Sequence, residues 1–118
     1  ADDLGYARQL EYVDRAARLT GQPPVVLESA DILRDPEAHL RALCAALDIP
    51  WDAGMLSWES GPRESDGVWA SHWYGRVLET TGFGAGENEA PRLAKSEQAI
   101  ADQCRDAYTQ LSELRIRL

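Results

Sequence analysis

The sequence predicts an α/β fragment, mainly helical: one short strand at about 25–28, helices at about 3–19, 36–48 and 91–117, and a long Trp-rich loop over 51–86. Three observations lead there. Val25, Val26 and Leu27 form a short β-branched and apolar run, bounded by Pro23 and Pro24 on one side and by Ser29 and Asp31 on the other, as in a buried strand. Asp35 stands immediately before Pro36, and an Asp N-cap followed by proline at the first helical position is a helix start. All four tryptophans fall between residues 51 and 86, among Gly, Pro, Ser and Asp.

Each element follows from its own pattern. Over 3–19, Leu4, Ala7, Leu10, Val13 and Ala17 share one helical face, interrupted by Asp14, while Arg8, Glu11 and Arg15 are spaced for ion pairs along the flank. Gly21, able to take the left-handed cap conformation, ends that helix together with Thr20 and Gln22. Leu40, Leu43, Cys44 and Leu47 recur at helical spacing after Pro36, and Pro50 stops the run. His39 falls on the polar side of this helix and is expected at the surface. The helix 3–19 is expected to pack on a sheet face beside 36–48. Between 91 and 117, Leu93, Ile100, Ala107 and Leu114 repeat every seven residues, with Cys104, Leu111 and Leu118 in companion places and Pro91 suited to the first turn.

One strand cannot make a sheet, because its backbone groups stay unpaired along both edges. Its neighbour must come from a longer parent polypeptide, from a second copy, or from a segment without a recognisable pattern. The chain of 118 residues is therefore expected to be either a single domain or a C-terminal half-domain. In the loop 51–86, short helical turns are expected around 52–56 and 70–79, and the indoles supply enough burial to order it. Trp51 and Trp58 are expected to anchor the loop by packing. Trp69 and Trp73 bracket Ser71 and His72, and either pack or offer a face on which a planar base can stack.

Composition excludes several function classes. Twelve Lys and Arg against twenty Asp and Glu leave a net charge of −8, which opposes binding to nucleic acid and to anionic membranes. No apolar run approaches the roughly 18 residues of a membrane span. Asp2, Asp3, Glu11 and Asp14 break any signal-peptide pattern at the start, so a cytoplasmic location is expected. Cys44 and Cys104 lie on apolar helical stripes and read as buried thiols or as a single disulfide; neither has the neighbours of a zinc site. Gly82-Phe83-Gly84-Ala85-Gly86 lacks the Lys and Ser/Thr of a phosphate-cradling loop and runs into Glu87 and Glu89, so it is expected to be a turn.

The run Pro24-Val25-Val26, Glu28, Asp31 and Leu33, then Asp35-Pro36-Glu37, Leu40-Arg41, Leu43-Cys44, Leu47 and Ile49-Pro50, resembles the C-terminal half of P-loop-type sulfotransferases. Met55, Leu56, Trp58, Gly61, Pro62, Gly67, Val68, Trp69, His72, Trp73, Tyr74, Thr81, Gly82 and Phe83 are similar to a bacterial branch of that family. The resemblance implies a P-loop NTPase-like fold and transfer of a sulfuryl group from 3′-phosphoadenosine 5′-phosphosulfate to a hydroxyl or amine, without a metal. It implies cofactor contact by Arg63, Gly67 and Trp69, and a substrate-side role for His72, Trp73 and Arg76. The family's catalytic base and phosphosulfate-binding turn lie upstream of the part resembled here, so no catalytic residue is assigned.

Two functions are thus expected from different classes. One is the C-terminal portion of a sulfotransferase-like enzyme, inactive by itself. The other is a noncatalytic helical interaction or oligomerisation domain, binding a parent polypeptide or a second copy through strand 25–28 or helix 91–117.

Overall fold

A computed structural model describes residues 2–86 and 90–118; Glu87 and Glu89, the acidic flank of the glycine-rich turn, lie outside the described residues. After a 3₁₀ turn at Asp2–Leu4, α1 spans Tyr6–Thr20, α2 Ser29–Arg34, α3 Pro36–Ala46, α4 Ala70–Trp73 and α5 Lys95–Glu113. Further 3₁₀ turns occupy Ala53–Leu56 and Val77–Glu79, close to the two places where the loop was expected to coil.

The helix ends follow from local chemistry. Asp35 caps α3, its carboxylate accepting the Ala38 N–H at 3.1 Å, with Pro36 in the first turn. Gly21 closes α1 at φ 73°, donating its N–H to the Ala17 carbonyl at 2.9 Å. The helix predicted over 3–19 starts later than expected. Gly5 adopts φ 74° and breaks the chain between the 3₁₀ turn and α1, a freedom the apolar spacing does not reveal. At the other end of α3, Asp48 takes φ 53° while the Ile49 N–H reaches the Cys44 carbonyl at 3.0 Å and the Asp48 N–H reaches that of Ala45 at 3.3 Å. This is a Schellman ending with an aspartate where glycine is usual, and it stops α3 at Ala46 rather than at residue 48.

The last helix is also shorter than 91–117. It begins at Lys95, where the Glu97 carboxylate accepts the Ala94 N–H at 2.6 Å, and Pro91 lies outside it. Alanine has no side-chain acceptor, so only this half of a capping box forms. Its seam packs on α1 rather than leaving α1 to lie beside α3. Tyr6 and Tyr108 meet edge to face at 5.7 Å, and Cys104 and Leu111 are buried on the α5 stripe.

The expected strand 25–28 reduces to a single bridge. Val26 pairs in parallel with Arg115, and the Ile116 N–H donates to the Val26 carbonyl at 2.9 Å; the neighbouring residues are extended but form no ladder among the described residues. Among the described residues this segment meets no second strand, and the tail after α5 supplies its one pairing. The residues after it coil into α2, a helix of six residues too short for a periodicity to show.

His39, expected on the surface, is 7% exposed. Its Nδ1 lies 2.8 Å from the Asp35 carbonyl, so the ring folds back along α3. Cys44 and Cys104 are buried free thiols, and the Cys44 Sγ lies 3.9 Å from the Met55 Sδ, tying α3 to the turn that follows. No described helix is long and apolar enough to cross a membrane.

Candidate functional site

Two polar features stand out, and the sequence reading found one of them. The first is the head of the loop 51–86. Its neck is closed by an antiparallel bridge between Ser57 and Gly82, with the Trp58 N–H donating to the Thr81 carbonyl at 3.0 Å and the Gly61 N–H to that of Leu78 at 2.7 Å. The Trp58 indole N–H donates to the Thr80 hydroxyl at 3.0 Å, and its ring meets Phe83 edge to face at 5.4 Å. Trp51 carries the Arg41 guanidinium over its ring at 4.5 Å, and Glu37 holds that arginine at 2.7 Å. Trp51 and Trp58 are thus the anchors that the composition predicts.

The neck presents residues 62–77 outward. Arg63 and Asp66 lock a turn reciprocally, the Asp66 N–H donating to the Arg63 carbonyl at 3.0 Å and the Asp66 carboxylate accepting the Arg63 N–H at 2.8 Å. The Arg63 guanidinium turns back toward the Glu59 carbonyl at 3.4 Å. Beyond Gly67, α4 sets Trp69 and His72 one turn apart, their rings 6.2 Å apart and tilted by 49°. Val68, Trp69 and Trp73 are 87%, 67% and 76% exposed, and Arg63 and Arg76 are exposed as well. The structure therefore brings Trp69 and His72 together. It places Arg63, Gly67, Trp73 and Arg76 on the same projecting stretch, without a described contact from either arginine to Trp69 or His72.

The glycine-rich turn does not fit the phosphosulfate end of a donor. A Cβ at Gly82 would come within 3.2 Å of the Leu56 carbonyl oxygen, and one at Gly86 would meet Leu33 at 3.5 Å. Gly82 lets the neck close against the Leu56 carbonyl, whereas Gly86 meets Leu33 of α2 at an ordinary contact distance. No group of side chains suited to holding a metal is present among the described residues.

The second feature escaped the sequence reading. Where the extended segment meets α2, Asp31 accepts the Arg115 guanidinium at 2.9 Å and that of Arg34 at 2.9 Å. Arg115 also donates to the Ser112 carbonyl and hydroxyl, each at 2.7 Å. Beside them the Tyr108 hydroxyl donates to Glu28 at 2.8 Å. The Arg115 hydrogen bond holds the Asp31 carboxyl below its ordinary range; partial desolvation opposes this and Arg34 adds to it. The bond to Glu28 pushes the Tyr108 hydroxyl up, with desolvation in the same direction. This cluster is a clasp between the motif carrying Glu28 and Asp31 and the end of the chain. Each of its groups is hydrogen-bonded to a neighbour, so the cluster holds the fold together at this point.

Residues 1–110 match the family described as sulfotransferase domain. The chain belongs to the sulfotransferase family. Among curated proteins it is similar to two from Arabidopsis thaliana. It is 39% identical over 88 residues to branched-chain-amino-acid aminotransferase-like protein 2, a stretch covering 75% of this chain and 16% of that protein. It is 52% identical over 63 residues to branched-chain-amino-acid aminotransferase-like protein 1, covering 53% of this chain and 11% of that one. The chain thus spans less than a fifth of either relative, and their names describe proteins most of which lies outside the match. No solved structure matches it. Within the sulfotransferase family match fall both the clasp residues Glu28 and Asp31 and the whole loop head.

Proposed function

We propose that this chain is the C-terminal portion of a sulfotransferase-like transferase of P-loop NTPase-like fold, related to a bacterial branch of the family, which does not carry the reaction alone. The observation that carries this reading is surface. The chain exposes 9663 Å², whereas a compact protein of its 13.1 kDa exposes about 6,400 Å². Its radius of gyration is 16.8 Å against about 13.5 Å for a compact domain of this length. Only Cys44, Cys104 and Leu111 form a buried apolar core among the described residues, which is what remains when a larger core is divided.

In this reading residues 1–118 form a half-domain in which the neck of loop 51–86 holds out a head that completes a site built elsewhere. Arg63, Gly67 and Trp69 contact the adenosine end of 3′-phosphoadenosine 5′-phosphosulfate, the indole stacking on the base and the guanidinium pairing with the 3′-phosphate. His72, Trp73 and Arg76 face the acceptor. The donor's phosphosulfate end and the catalytic base belong to the complementing polypeptide.

Titration calorimetry with 3′-phosphoadenosine 5′-phosphate tests the assignment. Weak binding is expected, reduced in Arg63→Ala and Trp69→Ala by the roughly 1–3 kcal/mol of a stacked base or a charged hydrogen bond. Unchanged affinity in both variants removes these residues from the site. Sulfuryl transfer by the isolated chain refutes the claim that it is incomplete. Concentration-dependent mass without any heat of nucleotide binding favours a noncatalytic association domain instead.

A further inference from the structure

Between α1, the segment that follows Pro24, and α5 lies a cavity of about 340 Å³. Val26, Leu27 and Leu111 line it with apolar surface, and the clasp residues Glu28, Tyr108 and Arg115 line it with polar groups. The clasp does not use up the hydrogen-bonding capacity found here. Arg115 commits its Nε to Asp31 and its Nη1 to Ser112, while its Nη2 has no hydrogen-bond partner among the described residues. Glu28 accepts the Tyr108 hydroxyl on Oε2, and among the same residues its Oε1 meets only the Ser29 hydroxyl, at a marginal 3.5 Å. Glu28 and Arg115 are both half-buried, so each keeps a charged donor or acceptor where water screens it less than at an open surface.

We propose that this cavity binds a small zwitterion with an apolar body, of the class of a free aliphatic α-amino acid. Its carboxylate accepts from Arg115 Nη2, its ammonium donates to Glu28 Oε1, and its side chain lies against Val26, Leu27 and Leu111. Glu28 and Arg115 act on the same Tyr108 hydroxyl, the first pushing its pKa up and the second drawing it down. Cation and anion are therefore gathered around one group, as the two charges of an amino acid are gathered around one carbon. Charge balance favours the same class. Glu28 and Asp31 offset Arg34 and Arg115, so a ligand of zero net charge leaves the cluster balanced. A plain anion would meet Glu28 in a chain whose net charge is already −8, and a plain cation would meet Arg115. The volume stands at the small end of the roughly 300–1,000 Å³ of ligand sites, which suits a molecule of this size. None of these residues belongs to the loop head, so the site stands or falls apart from nucleotide contact there.

Titration calorimetry with L-leucine on the natural polypeptide that carries these residues tests the site. Isocaproate, which lacks the ammonium, and isoamylamine, which lacks the carboxylate, serve as comparisons. A dissociation constant on the order of 1 mM is expected for so small a ligand, and each comparison compound is expected to bind at least about tenfold more weakly, because it leaves one charged group unmatched. Glu28→Gln keeps an acceptor for Tyr108 and is expected to weaken L-leucine about tenfold without weakening isocaproate. Gln9→Trp, at an exposed position of α1 that lines the cavity, removes no clasp bond and is expected to abolish the heat by filling the space. An unchanged circular dichroism signal and melting temperature in Gln9→Trp separate a filled site from a lost fold. No heat with L-leucine at ten times the expected constant overturns the site, and so does heat that persists unchanged in both variants. Isocaproate binding as tightly as L-leucine overturns the assignment of a zwitterion.

Discussion

Urea unfolding of the isolated chain measures how much of its surface folding removes from water. An unfolded chain of 13.1 kDa exposes about 19,000 Å², so the 9663 Å² left in the folded chain means that about half is buried. A compact domain of the same mass buries about two thirds. The slope of stability against urea scales with the area exposed on unfolding, so this chain is expected to show a slope about three quarters that of compact proteins of equal length, within the ~1–3 kcal/mol/M usual for small domains. Circular dichroism follows the helices, and tryptophan fluorescence follows the half-buried Trp51 and Trp58 against the exposed Trp69 and Trp73. The measurement is made at concentrations where sedimentation shows a monomer, because association would bury the surface in question. A monomer that unfolds with the full slope of a compact domain refutes the surface argument, and with it the main support for an incomplete unit.

Two smaller perturbations test the local physics. Asp48→Gly relieves the left-handed strain at the end of α3, where φ is 53°, and is expected to raise stability by about 0.5–1 kcal/mol in thermal or urea denaturation; no gain would show that the aspartate side chain contributes as much as the backbone costs. The clasp gives a pH signature with a definite sign. The folded-state pKa of Asp31 is depressed, so its contribution is present above the ordinary value of 3.8 and is lost as pH falls through the lower folded value. That of Tyr108 is raised, so its contribution is present below the ordinary 10.0 and is lost as pH rises through the higher folded value. Asp31→Asn is expected to shrink the acid limb to the share of Asp102, whose carboxyl the Arg105 and Gln98 hydrogen bonds also hold down, and to leave the alkaline limb; an acid limb as large as the parent's would show that Asp31 contributes nothing to it.

What the sequence made legible is what short-range chemistry decides. The Asp35–Pro36 start, the Gly21 stop and the closely placed turns at Ala53–Leu56 and Val77–Glu79 each depend on a few adjacent residues, and each is in place. Periodicity found α1, α3 and α5 but overran their ends, because apolar spacing continues through Gly5 and past Ala46 while the backbone does not. The parallel bridge and the clasp were invisible for a different reason. Arg115 meets Asp31 across 84 residues and Tyr108 meets Glu28 across 80, and no local pattern marks a pairing of that span. His39 was misplaced because helical position assigns a face, whereas its burial comes from the ring folding back to the Asp35 carbonyl. The exposed head of the loop was legible only in composition: four tryptophans in one stretch announce burial, yet the neck needs just Trp58 and Trp51.

That division of the indoles bears on how the family's chemistry is distributed. Two aromatic anchors with a bridge, a ring-to-ring contact and an indole hydrogen bond fix the neck, so the head is held on a pinned base rather than on a free strand of chain. Keeping Val68, Trp69 and Trp73 largely in water is unfavourable for a chain that ends its contacts there, since large apolar side chains stabilise a protein only when covered. Among the described residues the backbone groups of the half-buried Val25 and Leu27 likewise have no hydrogen-bond partner. The Asp35 cap of α3 and the bonds of the clasp, by contrast, are completed within the chain. The exposed indoles and the extended segment both lie within the stretch matched by the sulfotransferase family.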